Sequence, residues 1–187
     1  LNVNPSLLGF GCMRFPKKED GTIDEVEAER MLDHAIESGV TYIDTAYPYH
    51  DGESEPFVGR VLKKYKREDF YLATKLPMFK IDSLEQAKEI FEEQMKRLDV
   101  DYVDFYLLHA LNKDTWKKVI DLNIIPYCEE LKKQGRIKNF GFSFHDDYEV
   151  FEEIINYRDW DFCQIQLNYI DTDIQAGMKG YKLTEEK

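Results

Sequence analysis

The chain has 187 residues, 43% of them hydrophobic and 14% aromatic, which is enough to bury a substantial core in one domain and too apolar for a disordered segment. Its 25 basic and 37 acidic residues give a net charge of −12 with no basic stripe or arginine-rich arm, which argues against binding to a nucleic-acid backbone. The longest apolar runs are strand-sized, far below the roughly 18 residues of a spanning helix, and no charged-then-apolar leader opens the chain, so a soluble cytoplasmic protein without membrane partners is expected.

In chain order, "SLLGFG" (6–11) is the first strand candidate. "TIDEVEAERMLDHAIESG" (22–39) then reads as a helix: Asp24 is the cap, Glu27 completes a capping box, Val26, Met31, Leu32, Ala35 and Ile36 form the inner stripe, and Gly39 is the stop. "TYIDT" (41–45) is the second strand, followed by a helix over "SEPFVGRVLKKY" with Ser54 as cap and Pro56 in the first turn. "FYLATK" (70–75) is the third strand. The helix "SLEQAKEIFEEQMKRLDV" follows, with Ser83 capping and Ala87, Ile90, Phe91, Met95 and Leu98 at helical spacing. "VDFYLLH" (103–109) is the fourth strand, and "WKKVIDLNIIPYCEELKKQG" predicts a helix broken before Pro126 that ends at Gly135. The fifth strand is "IKNFGFS" (137–143), the sixth "FCQIQL" (162–167). Helices are expected over "DYEVFEEIINY" between them and over "DTDIQAGMKGYKLTEEK" at the end, where Gly177 and Gly180 weaken the pattern.

Most of the strands are continuously apolar, as strands buried on both faces of a parallel sheet are. Alternating strand and helix with no linker leaves a doubly wound open sheet or a (β/α)8 TIM barrel. A nucleotide-binding open sheet calls for Gly-x-Gly-x-x-Gly between the first strand and helix, but Gly9-Phe10-Gly11 is followed by Arg14 and a long loop. The polar residues Asp44, Lys75, His109, Ser143 and Gln164 instead fall at the C-terminal ends of different strands, as they do in a barrel. About six βα units are present where eight close a barrel of about 250 residues. Residues 1–187 are therefore expected to be a single, incomplete barrel domain lacking the last two units. A chain that starts at Leu1 and ends in "GYKLTEEK" without a helix stop fits a piece cut from something longer.

Three strand ends suggest chemistry. Asp44, Lys75 and His109 end the second, third and fourth strands and would converge on one barrel mouth, with Tyr49 in the loop after Asp44. A cation within about 4 to 6 Å of a phenol favours phenolate, so Lys75 beside Tyr49 would make it a usable acid, and Asp44 would keep Lys75 charged. His109 can donate a hydrogen bond to an oxygen gaining negative charge. Together the four describe a site that polarises and protonates a carbonyl.

These segments resemble the aldo-keto reductase family. "YIDTAYPYHDGESEPFVG" is similar to its Asp-x-x-x-x-Tyr strand and loop, "FYLATKL" to the strand holding its Lys, "VDFYLLHA" to the one holding its His, and "LKKQGRIKNFGFS" to its fifth strand with the preceding helix. The four occur in the family's order and span nearly the whole chain. The resemblance implies an NADP-dependent oxidoreductase reducing aldehydes or ketones to alcohols, with Asp44, Tyr49, Lys75 and His109 as the catalytic tetrad and Tyr49 as general acid. It implies cofactor contacts from the backbone around Gly11, Cys12 and Met13, from Asp44, and from Ser143 and Gln164 on the carboxamide; the hydride would come from NADPH or NADH. Many members have Asn after that Ser, where this chain reads Ser143-Phe144-His145; His145 either replaces the contact or serves in capping the next helix or packing the loop. Family members hold the adenosine end of the cofactor with their seventh and eighth strand regions, beyond the six units here. "LGFGCMRFP" and "GFSFH" are similar to a bacterial and archaeal branch whose longer members carry a C-terminal iron-sulphur module, although the Cys cluster it needs is not in this chain.

Two other classes compete. A metal-dependent barrel hydrolase would use Asp44, His50, His109 and His145, but no His-x-His or His-Glu-x-x-His pair occurs. The three cysteines, Cys12, Cys128 and Cys163, include no Cys-x-x-Cys pair, supply no metal framework and read as small apolar residues. A non-catalytic barrel that only senses or binds the cofactor would be marked by loss of Tyr49 or Lys75, and both are present.

Overall fold

The apolar runs pair as one all-parallel sheet in sequence order. In the computed structural model, which describes residues 3–187, the strands are β1 (Gly9–Gly11), β2 (Tyr42–Asp44), β3 (Tyr71–Leu76), β4 (Val103–Leu111), β5 (Ile137–Phe144) and β6 (Phe162–Gln164), each pairing with the next. Helices α1 (Glu25–Glu37), α2 (Ser54–Leu62), α3 (Leu84–Leu98), α4 (Lys113–Asp121), α5 (Ile124–Lys133) and α6 (Tyr148–Tyr157) fill the crossovers, and α7 (Gly177–Glu185) follows β6. This is a parallel α/β half-barrel, six successive βα units with β1 and β6 as the edges of the arc among the described residues. β3, β4 and β5 are buried along nearly their whole length, which explains why their sequences lack polar alternation.

Register fixes which residues share a face. Gly11 pairs with Asp44 and Asp44 with Ala73; Ala73 pairs with Phe105 and Lys75 with Leu107; Leu107 pairs with Gly141 and Ser143 with Gln164. Because side chains alternate with a period of two, Tyr42, Tyr71, Phe105 and Phe162 occupy the N-terminal end of the same face whose C-terminal end carries Asp44, Lys75, His109, Ser143 and Gln164. The four rings pile around Phe105 at centroid distances of 5.1 Å from Tyr42, 6.1 Å from Tyr71 and 4.9 Å from Phe162. They form an apolar floor beneath the polar stripe. The opposite face packs on the helices and builds the main core, with Leu72, Leu76, Tyr106, Leu108, Phe140 and Phe142 each 0% exposed.

The N-caps hold at α1, where Asp24 accepts from the Glu27 amide, and at α3, where Ser83 accepts from the Gln86 amide, but the expected box at α1 does not close, because the Glu27 carboxylate pairs with Arg30 and the Asp24 amide bonds the Pro16 carbonyl. The expected cap fails at α2. Ser54 lies inside the helix with its hydroxyl turned to Thr45 and the Cys12 carbonyl, because a buried hydroxyl bonds the nearest buried partners and Glu53 takes the cap position without a side-chain cap. α4 begins earlier than expected, capped by an Asn112 and Thr115 box. The expected break between α4 and α5 falls at left-handed Asn123, ahead of Pro126, which sits in the first turn of α5 where its missing N–H removes no hydrogen bond. β1 and β6, three residues each, are shorter than the apolar runs around them. α7 starts only at Gly177, whose φ of +51° sets off the irregular segment 165–176 from the helix.

Helices α2 and α3 meet through Gly59. A Cβ there would stand 2.6 Å from the Leu98 carbonyl oxygen and 2.8 Å from that of Arg97, so only glycine lets the two backbones approach this closely. Gly→Ala inside a helix ordinarily stabilises by about 1 kcal/mol. Here the sign should reverse: Gly59→Ala is expected to lower stability by about 1–3 kcal/mol through overpacking, read as a drop in thermal or denaturant midpoint.

Candidate active site

Lys75 is the centre of the site. It ends β3 with only 2% of its side chain exposed, and an ammonium so buried must find oxygen acceptors. It donates to Asp44 Oδ1 at 2.5 Å, to the Thr45 carbonyl at 2.9 Å and to the Tyr49 hydroxyl at 3.3 Å. All three acceptors come from β2 and the loop that follows it, so the pairing of β2 with β3 delivers them together. Burial opposes the Lys75 charge, but the carboxylate of Asp44 and the phenol of Tyr49 more than offset it, and its pKa is raised. The ammonium stays charged beside the phenol oxygen.

His109 ends the same face one strand further on, with its ring 5.7 Å from that of Tyr49 in an edge-on arrangement and 5.6 Å from Phe79. Burial first, then the neighbouring charges of Lys75 and His145, push its pKa down to about 3, so the imidazole is neutral at physiological pH. Its Nδ1 and the second carboxylate oxygen of Asp44, Oδ2, are buried without a hydrogen-bond partner in the protein. Phe79 is 48% exposed and walls the mouth from the turn after β3; nothing in its sequence context marked it out.

The remaining predicted positions are arranged around this cluster rather than in it. Gly11 is exposed at the end of β1 and leads into a 3-10 turn, Cys12–Arg14. The Cys12 side chain is fully buried, with burial and then Asp44 pushing its thiol well up, so only backbone is offered there; Met13 is 56% exposed. Cys128 is also buried and Cys163 is half-buried. Ser143 Oγ accepts from the Ala110 amide at 2.8 Å, which leaves its hydroxyl hydrogen free to be donated. Gln164 is level with Ser143 on the neighbouring strand and exposed. His145 does not cap α6: its ring contacts Gln175 at 3.2 Å, and Asp147 precedes the helix without a side-chain cap. His50 Nε2 accepts from the Phe15 amide and Asp44 Oδ1 from Lys75.

A second layer lies behind β3, on the helix side of the sheet. Glu55 of α2 is fully buried and accepts from Thr74 Oγ1 at 2.6 Å and from Gln94 Nε2 at 2.9 Å. Gln94 also donates to the Lys75 carbonyl at 3.0 Å and accepts from the Tyr106 hydroxyl at 2.8 Å. These bonds clamp the β3 backbone at the residue that carries the ammonium. An acid in the first turn of a helix reads as dipole chemistry, and only the fold reveals that Glu55 faces inward.

Known proteins share this fold. The model of the aldo/keto reductase family matches residues 7–182. The chain is 32% identical over 146 residues to a probable aldo-keto reductase from Glycine max, a match covering 74% of this chain and 41% of that protein. A solved holo-form aldo-keto reductase from Bacillus halodurans superposes with a TM-score of 0.80 at 31% identity over 99% of this chain and 60% of its own. An aldo-keto reductase from Klebsiella pneumoniae in complex with NADPH gives 0.64 at 25% identity over 86% of this chain and 53% of its own. The chain thus spans less than half the length of the Glycine max relative and little more than half of these solved chains. No helix among the described residues is long and apolar enough to cross a membrane.

The depressed pKa of His109 has a consequence for stability. Histidine protonates below its ordinary value of 6.5 in the unfolded chain but only near 3 in the folded one. Its contribution is therefore complete above about pH 6.5 and is lost as pH falls toward 3, at up to about 1.4 kcal/mol per pH unit. Chemical denaturation of wild type and His109→Asn between about pH 6 and pH 4 should give a shallower fall for the variant, with the carboxylates common to both cancelling in the difference.

Proposed function

The chain belongs to the aldo/keto reductase family, and on that premise we propose that the intact protein reduces aldehydes or ketones to alcohols, and runs the reverse oxidation, with NADPH preferred over NADH. The observation that carries this reading is the Lys75 ammonium held between Asp44 Oδ1 and the Tyr49 hydroxyl in a buried site beside a neutral His109. The aldo-keto reductase from Klebsiella pneumoniae is in complex with NADPH, which supports this preference.

The residues present suit a nicotinamide. The exposed backbone of Gly11 and the Cys12–Arg14 turn offers a shelf with no intruding Cβ at Gly11, and Ser143 and Gln164 stand side by side at the ends of β5 and β6. Ser143 accepts from the Ala110 amide and keeps its hydroxyl hydrogen to donate outward, which suits the carboxamide oxygen. When bound, NADPH supplies the hydride.

Everything else falls to the chain. Tyr49 gives its phenolic proton to the carbonyl oxygen as that oxygen gains charge. Lys75 stabilises the phenolate left behind through the hydrogen bond it already makes, and Asp44 keeps the ammonium protonated and aimed. His109, neutral and with one N–H, donates to the same carbonyl oxygen and orients it without competing for the proton. Phe79 and Met13 give the pocket an apolar rim, suited to an aldehyde or ketone with a hydrophobic substituent.

Tyr49→Phe should lower turnover of a test aldehyde by about 10²–10⁴-fold while leaving NADPH affinity nearly unchanged; retained turnover would remove Tyr49 from the role. Residues 1–187 expressed alone should bind NADPH weakly or not at all by fluorescence titration, because family members hold the adenosine end with strands beyond the six here. Tight binding without turnover by the intact protein would favour the alternative of a cofactor-sensing barrel.

A further inference from the structure

The segment directly after Tyr49 adopts a backbone that its residues disfavour. His50 (φ 52°, ψ 47°) and Asp51 (φ 56°, ψ 27°) are both left-handed, and Gly52 follows at φ +95°. Only the glycine accepts this readily; each of the other two is expected to cost about 1–2 kcal/mol, so outside contacts must hold the run in place. Two are present, one at each end. His50 Nε2 accepts from the Phe15 amide at 3.1 Å, and Ser54 Oγ donates to the Cys12 carbonyl at 3.2 Å. Residues 50–54 thus grip the turn Cys12–Arg14 from both sides. The His50 ring also lies 5.6 Å from the Phe15 ring, which is buried against Phe57 of α2 at 5.0 Å.

Because Nε2 is the acceptor, the proton of the neutral ring sits on Nδ1. Burial, and then the charge of Lys17, lowers the His50 pKa, with Asp51 and the Met13 backbone acting the other way, so the accepting form is the favoured one. These groups and the Phe15 amide are the polar surroundings of the ring.

We infer that His50 is a positioning residue that couples the Cys12–Phe15 turn to the Tyr49 loop, so that a cofactor seated on that turn fixes the placement of the Tyr49 hydroxyl. This rests on the reading of Tyr49 as proton donor and of the turn as the nicotinamide shelf. The coupling itself is a property of two loops and can be measured without either.

The test is carried out on the intact protein with His50→Ala, which removes the acceptor, and His50→Gln, whose side-chain oxygen can take its place. Hydrogen-exchange mass spectrometry should show faster exchange in both residues 12–15 and 49–53 of His50→Ala, with His50→Gln restoring both. Acceleration in only one of the two segments, or in neither, overturns the coupling. In kinetics, His50→Ala should lower kcat and weaken NADPH binding together, each by about tenfold, the size expected from one hydrogen bond that positions two loops, and His50→Gln should recover most of both. A variant that lowers the melting temperature but leaves kcat and NADPH affinity intact assigns His50 a merely structural role and also overturns the inference. If the wild-type protein turns over no carbonyl, the proposed function fails while the exchange result still decides the coupling.

Discussion

A buried ammonium constrains this molecule more than any other group. Lys75 is almost wholly removed from water, and its three acceptors are Asp44, the Thr45 carbonyl and Tyr49, all on one neighbouring strand and its loop. Removing either partner of such a buried pair typically costs about 3–5 kcal/mol, because the survivor is left charged and unsolvated. The register of β2 on β3 is therefore specified by charge as well as by packing. The Glu55, Gln94 and Thr74 network on the helix side meets the same demand from behind by fixing the Lys75 carbonyl. Reactive side chains and supporting side chains sit on opposite faces of a single strand, separated by one residue of alternation.

The electrostatics of the cluster separate into two kinds of group. Lys75 is buried but held charged by an anion in contact, whereas His109, buried beside that same cation, is held neutral. Below both lies the aromatic floor around Phe105, and above it His109 Nδ1 and Asp44 Oδ2 stay without a partner in the protein.

Much of this was legible in the sequence, and the reason lies in the alternation itself. An otherwise continuous apolar strand that ends in Asp, Lys, His or Ser places that residue at the C-terminal rim wherever the sheet is parallel, so Asp44, Lys75, His109 and Ser143 could be read without knowing the contacts. Helix caps were legible where the capping residue is exposed, as at Asp24 and Ser83, and misread at Ser54, where burial gave the hydroxyl better partners. Glu55 was passed over, and His50 weighed only as a metal ligand, for a common reason. Each looks like ordinary surface chemistry in one dimension, and each takes its importance from a residue 19 or 35 positions away. Phe79 carried no periodic signal because it lies in a turn.

The pairing of β4 with β5 slips just beyond His109. Leu108 pairs with Phe142 and Leu111 with Phe144, so β4 spends one residue more than its neighbour, and Ala110 takes it up at φ +52° with its amide bonded to Ser143. Up to His109 the two strands keep a common reading frame; after it they do not. A residue inserted or deleted beyond Leu111 would leave the alternation that aims His109 untouched, because the frame has already been broken and re-anchored there. Only Asn112, the cap of α4, separates β4 from the helix that follows, so the slip itself, with no loop to absorb change, is what insulates the aim of the imidazole from the helix beyond it.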